Sequence, residues 1–426
     1  MQIMVMLKTS AQLFIRCFTT ICLVLVVSSL LIDNGLAAVE SPSDTQITVN
    51  TFADEFNSNG NCSLREALRA ANLDISVDAC PAGSGADTIV IPIGTYTLTR
   101  AGSDENAGLT GDLDINSSLT ILGSGMRDTI IDGAQLDRVF HITGKYVVKI
   151  SGLTIQNGKA AIGQPIGYGG AGILNPIEGN LTLSKSILTT NQADFTGGGL
   201  DNAGTAALFD VTISGNSAEI GGGVFSNGTM SLNGITFTGN TATQNGGGLD
   251  NNKTATLTNV TFSGNTAPVG GGIHNDQELT LINTTLYANS TAIANELAGS
   301  IVFKNTIVAN STDGDNCTSE GAFTPKGDYN LDSGESCNFI GANDLTNTDP
   351  LLGALQDNKG STWTHALLEG SPVIDKGDNS DCPSTDQRGA ARPADGDDDG
   401  SNVCDMGAFE HGGAFPNYMY LPLTAR

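Results

Sequence analysis

One phrase returns along this chain every 24 or 25 residues. Gly197-Gly198-Gly199-Leu200 recurs as Gly221-Gly222-Gly223-Val224, Gly246-Gly247-Gly248-Leu249 and Gly270-Gly271-Gly272-Ile273. Between these copies lies a second phrase: Ile213-Ser214-Gly215-Asn216, then Phe237-Thr238-Gly239-Asn240, then Phe262-Ser263-Gly264-Asn265. A fixed period of this length means stacked copies of one supersecondary unit, each burying its apolar side against its neighbours. A single globular core does not produce it.

Apolar residues stand three, five and eight places before each asparagine: Ile213, Val211 and Leu208; Phe237, Ile235 and Leu232; Phe262, Val260 and Leu257. Positions two apart share a face of an extended chain. The β-branched residues between them (Thr212, Thr236, Thr261 and Thr285) suit an outer, wet face. Nothing recurs at 3.6 residues, so the unit is built of strands. About three short strands and three turns fit in one period, which is one coil of a parallel β-helix with like residues stacked about 4.8 Å apart. Asn216, Asn240, Asn265 and Asn289 then form an internal ladder. Its amides satisfy groups that would each cost roughly 1–3 kcal/mol if buried alone. Counted over 87–375, the length suggests ten to twelve coils. The fold class expected is all-β: a right-handed parallel β-helix with a short N-terminal capping helix and a disulfide-stapled C-terminal cap.

Residues 1–38 read as a secretory signal. Lys8 and Arg16 precede the apolar run Cys17–Leu31, and Gly35-Leu36-Ala37-Ala38 offers a small-residue cleavage site. An uncleaved anchor is the other reading of this run. The formal net charge is −26, and loss of Lys8, Arg16 and Asp33 makes it −27. So acidic a chain repels nucleic-acid phosphates and anionic lipid, and neither is expected as a partner. Six cysteines remain after the signal. They allow fifteen connectivities, but export and sequence-local pairing favour Cys62–Cys80, Cys317–Cys337 and Cys382–Cys404. None has a zinc-site spacing.

The folded part begins with an N-terminal cap over 45–86. Within it Ser63 and Glu66 make a capping box, and Leu64, Ala67, Leu68 and Ala71 form one apolar stripe, which predicts a helix of about ten residues. Arg65 and Glu66 read as cap and solvated face. The β-helix follows over 87–375, with an insertion in 157–170. An acidic, Pro-rich segment, 376–411, reads as a C-terminal cap, and 412–426 as a tail. The mature chain is expected to be monomeric, with no membrane span.

Cys62-Ser63-Leu64-Arg65-Glu66-Ala67, Ile91-Pro92-Ile93-Gly94-Thr95-Tyr96 and Ile150-Ser151-Gly152-Leu153-Thr154-Ile155 resemble bacterial CSLREA-domain β-helix proteins. Ser371-Pro372-Val373-Ile374-Asp375, Asp386-Gln387-Arg388-Gly389 and Cys404-Asp405-Met406-Gly407-Ala408-Phe409-Glu410 resemble the choice-of-anchor Q module that accompanies them. The glycine-triplet and Phe-x-Gly-Asn repeats are similar to those of polymorphic outer-membrane proteins, which are surface adhesins. The resemblance implies export and a pectate-lyase-like coil, without a settled activity. No C-terminal stretch is long enough for an autotransporter barrel.

Two places invite chemistry. Asp395, Asp397 and Asp399, with Gly400, match positions one, three, five and six of a calcium loop. Met406 stands where a bidentate Glu belongs, and Asp405 is one place short. Calcium held by Asp395, Asp397, Asp399 and Asp405, as a structural ion, is the favoured reading; a solvated acidic loop is the alternative. Sugar cleavage would need acids gathered on neighbouring coils. The residues after each Gly-Gly-Gly-apolar phrase are Asp201, Phe225, Asp250 and His274, which places Asp201 and Asp250 on one outward, solvent-facing column about 10 Å apart, with His274 one coil further. Phe225 interrupts the set, and no Arg or Lys column supplies a lyase base. His141, His365 and His411 look isolated. The expectation is an exported surface or extracellular protein, structural or adhesive, whose partner is a polysaccharide or another cell surface; a polysaccharide lyase or glycoside hydrolase is the alternative.

Overall fold

A computed structural model describes residues 44–415 apart from 104, 162–168 and 322–323; the signal segment and the end of the tail lie outside the described residues. From Asp44 onward the chain forms one compact unit. The repeats form the ten-residue strands Asn180–Thr189, Thr205–Ser214, Thr229–Thr238 and Thr254–Ser263. Each bends once, at Lys185, Asp210, Gly234 and Asn259, where φ is 45°, 56°, 72° and 55°. A left-handed residue in mid-strand turns the chain without ending the ladder, and Gly or Asn meets that demand at least cost. One strand thus serves two faces of the coil.

The coil pairings are parallel, and those of the long strands keep one register from coil to coil. Leu183, Leu208, Leu232, Leu257 and Leu281 are successive partners, so Leu232 lies between Leu208 and Leu257 as the period requires. The Phe237 and Phe262 rings stack 4.4 Å apart at 2°. A second sheet stacks nine short strands, from Leu113–Ile115 to Cys317–Ser319. Nine strands make eight full turns in this sheet, while the longest ladder, from Gly94–Thr97 to Leu345–Thr346, is joined by ten parallel pairings. Beyond it Leu352–Gln356 and Thr364–Leu367 pair as an antiparallel hairpin and add no coil.

The asparagine ladder runs through Asn191, Asn216, Asn240, Asn265 and Asn289, all fully buried. Asn240 Oδ1 accepts from both the backbone N–H (3.1 Å) and Nδ2 (3.0 Å) of Asn216, while Asn240 Nδ2 donates to Ile213 O at 2.8 Å. A second ladder runs along the short strands. Asn175 donates to Asn202 and Asn202 to Ser226, and further on Asn251 donates to Asn275 and Asn275 to Asn295. Its signal is the residue two places after each Gly-Gly-Gly-apolar phrase. The glycine triplets themselves are steric. A Cβ on Gly222 would lie 2.4 Å from Thr241 O, so the coils approach too closely there for any side chain.

The N-terminal end is closed by the helix Leu64–Leu73, capped by Ser63 and tied by Cys62–Cys80. Arg65 and Glu66 are not on a solvated face. Arg65 is buried against Asp54 (2.6 Å) and donates to the carbonyls of Gly108, Gly111 and Asp112. Glu66 accepts from Ser63 N and Asn57 N. At the other end Phe339 packs edge-on against Phe303 at 5.0 Å, and Cys317–Cys337 fastens that loop.

The segment read as a C-terminal cap does not cover an end. It lies along the flank, and this overturns the wet face assigned to the threonines. Gln387 accepts from Thr261 Oγ1 (2.6 Å) and donates to Thr236 Oγ1 (2.9 Å), Asn259 donates to Thr385 O, and Thr285 Oγ1 accepts from Ala408 N. Thr236, Thr261 and Thr285 are therefore buried, and only Thr212 stays half-exposed. Where the flank is deepest the threonine becomes Ile307, which joins Leu331, Leu367, Val373, Met406 and Phe409 in a second apolar core. The pair Arg392–Glu410 is buried here at 3.3 Å, and Cys382–Cys404 closes the segment.

Replacing Asn240 with Ala removes an acceptor used twice and leaves buried groups on two neighbouring coils unpaired. Urea unfolding should show a loss of roughly 2–4 kcal/mol, whereas Asn233→Ala on the exposed face should stay within about 0.5 kcal/mol of the parent.

Candidate functional site

The short strands of the nine-stranded sheet point one column outward: Asp114, His141, Leu174, Asp201, Phe225, Asp250, His274, Ala294 and Thr318, in register. The column was expected to face solvent, yet Asp201, Asp250 and His274 are 9%, 1% and 3% exposed. The glycine turns cause this. The first glycine of each triplet folds back on the column: a Cβ on Gly246 would lie 2.7 Å from the Asp250 Cβ, and outside the triplets one on Gly169 would lie 2.2 Å from Asp201 Oδ2. Asp201, Asp250 and His274 each sit in a notch made by nearby glycine backbone.

Asp201 stands apart, its Oδ2 accepting from Thr196 Oγ1 at 2.6 Å. Burial pushes its carboxyl up to about 6, against the lowering effect of the Thr196 bond. Asp250 and His274 are brought together. His274 Nδ1 meets Asp250 Oδ2 at 2.9 Å, and Nε2 meets Glu296 Oε1 at 2.9 Å and Asp276 Oδ1 at 3.8 Å. Burial alone would lower the imidazole; its carboxylate partners, Asp250 first, outweigh this and raise it to about 9. The ring is cationic at neutral pH. Asp276, Glu296 and Glu320 were missed because they follow their strands by one place and become neighbours only through stacking.

The same order, Asp then His one coil later, occurs at the start of the sheet, so His141 is not isolated: its Nδ1 meets Asp114 Oδ1 at 3.0 Å, with Asp112 adjoining. Arg138 pairs with Asp112 at 2.9 Å. His365 is buried between Ser263 Oγ and Gly353 O beside Tyr287, a packing role.

In the acidic loop Asp395 and Asp397 converge with Asp375, not with Asp399 and Asp405. Asp375 Oδ2 accepts from the backbone of Gly396 and Asp397. Asp399 accepts from Ser401 N. Asp405 turns inward, accepting from Asp375 N and His411 N, and burial raises its carboxyl to about 7. These acidic clusters have the donor chemistry to hold a metal ion.

No family model matches the sequence, and a search of curated proteins finds no match. Among solved structures, the crystal structure of pectate lyase Pel9A matches with a TM-score of 0.42 and 11% identity, covering 87% of this chain and 98% of that one. The three disulfides fit an extracellular protein. Among the described residues no helix is long and apolar enough to cross a membrane.

Asp201 yields a signed pH effect. Its folded value, raised from 3.8 to about 6, means the folded state holds the proton more tightly. The stability it contributes is full below about pH 4 and is lost as pH rises through about 6. Asp201→Asn should match the parent near pH 4 and exceed it at pH 8 by up to about 3 kcal/mol, read from thermal melts at both values.

Proposed function

We propose that this protein is an exported, extracellular β-helix that adheres to polysaccharide through one flat face. The observation that carries this reading is which face stays open. The second halves of Thr229–Thr238 and Thr254–Ser263 are covered by the flanking segment, but the first halves of the long strands are not. There Thr205, Thr229 and Thr254 stack in one column and Thr182, Ala207, Ser231, Thr256 and Thr280 in the next. Phe209, 42% exposed, stands beside Asn233 and Thr258 in a third. Rows about 4.8 Å apart and columns about 6.6 Å apart give a regular array of hydroxyl and amide groups around an aromatic ring. That chemistry suits repeated, weak contact with a linear sugar polymer. The signal-like N-terminus and the adhesin-like repeats support the same reading. The burial of Asp201 and Asp250 counts against a hydrolase or lyase, whose acids must reach the scissile bond.

Pull-down on immobilised neutral and acidic polysaccharides should retain the protein, and Phe209→Ala should weaken retention about tenfold, within the 0.5–1.5 kcal/mol range of aromatic contacts. New reducing or unsaturated ends that vanish in Asp250→Asn would overturn the binding reading in favour of the enzyme.

We also propose that the acidic loop holds calcium as a structural ion, through Asp375, Asp395 and Asp397. All donors are oxygens, as calcium prefers. Asp375 is 8% exposed, with Oδ1 buried and without a hydrogen-bond partner among the described residues. Burial, and the Asp397 charge beside it, push its carboxyl up, against the two backbone bonds that lower it. A bound dication would supply the missing partner and tie the flank to the loop. Millimolar calcium should raise the melting temperature of the parent, EDTA should reverse the change, and Asp397→Asn should abolish it.

A further inference from the structure

A second ion site, of different chemistry, is built into the glycine-notched column. We propose that His274, Asp276 and Glu296, with Glu320 at the rim, bind a first-row transition-metal dication such as zinc, and that Asp250 orients the histidine for it. Three observations carry this.

The first is the stacking of like charge. Asn275, Asn295 and Ser319 are register partners, and the backbone N–H groups of Glu296 and Glu320 continue the pairing one place further. Asp276, Glu296 and Glu320 therefore occupy the same position on three consecutive coils, about 4.8 Å apart. Like charges directly opposite across strands are destabilising. Among the described residues no Lys or Arg forms an ion pair with any of the three or with Asp250. Lys326 lines only the cavity beyond Glu296. His274 is the one basic side chain in contact with these acids among the described residues. At the pair Asp114–His141 in the same column, by contrast, an arginine is present: Arg138 reaches Asp112 at 2.9 Å.

The second is the division of labour at the imidazole. Nδ1 faces the buried Asp250 and Nε2 faces Glu296 and Asp276. A carboxylate on one ring nitrogen fixes the tautomer that leaves the other free for a metal, and this carboxylate–histidine arrangement accompanies most histidine ligands. Asp250 does not touch the proposed ion; it is a positioning residue.

The third is distance. Tetrahedral zinc, with bonds of about 2.0–2.1 Å, separates its donors by roughly 3.3 Å. The Nε2 contacts at 2.9 and 3.8 Å bracket that value, and one donor atom from each of the three residues lies within 4.8 Å of the others. A nitrogen donor favours zinc or its neighbours over calcium, which takes oxygens. A polar cavity of about 260 Å³, lined by Asn295, Glu296, Ser319 and Lys326, opens beside Glu296 and leaves room for a water or an exogenous ligand on the ion.

The test is zinc titration of the untagged, disulfide-bonded protein by calorimetry and native mass spectrometry. One zinc per chain, undisturbed by excess calcium or by Asp397→Asn, is expected. Glu296→Gln should weaken binding at least tenfold, and Asp250→Asn about 10- to 100-fold, the usual range for such an outer partner. Glu320→Gln, at an exposed position, should weaken it while leaving the fold intact, which near-ultraviolet circular dichroism verifies. Zinc affinity unchanged in folded Glu296→Gln and Glu320→Gln variants, or no zinc bound by the parent at micromolar concentration, would overturn the site.

Discussion

In-register parallel stacking is the constraint on which the rest of this molecule depends. Because each residue lies over its equivalent one period away, a choice made in one coil is repeated in the next. Leucine on leucine, phenylalanine on phenylalanine and asparagine on asparagine are the favourable consequences. The amide is well suited to this, since one side chain can donate to the coil on one side and accept from the coil on the other. Two such ladders hold turn backbone that would otherwise be buried and unpaired, and the aliphatic columns between them stay dry.

The same rule makes charge expensive. An acid repeated at one position meets its own copies at strand spacing, so the coil tolerates such columns only where a cation enters. Arg138 enters at one end of the nine-stranded sheet and His274 at the other. That contrast is why the second cluster, with three stacked acids and a histidine already aligned by Asp250, reads as a site for an ion and not as a finished salt bridge. Asp201 solves the problem differently: alone in its notch, with Thr196 as partner, it keeps its proton to higher pH.

The flank decides what the outside of the coil can do. Segment 376–411 uses Gln387 to join two threonines of adjacent coils, then replaces hydrogen bonds with apolar contact around Ile307 and Met406. A sheet face that would otherwise be open is closed over Thr236, Thr261 and Thr285.

The period, the strand alternation, the asparagine ladder, the capping helix at Ser63 and the three local disulfides were legible in the sequence, because each is set by residues within one repeat or a few places of one another. Alternation says which side of a strand a residue takes; it does not say whether another segment lies over that side. So the burial of Thr236, Thr261, Asp250 and Arg65, and the flanking place of 376–411, came from the tertiary structure alone. The convergence of Asp375 on a loop twenty residues away, and of Glu296 and Glu320 on His274, belongs with them. Those partners are separated along the chain and meet only where coils stack or the flank docks, a long-range packing event for which a single sequence carries no periodic mark.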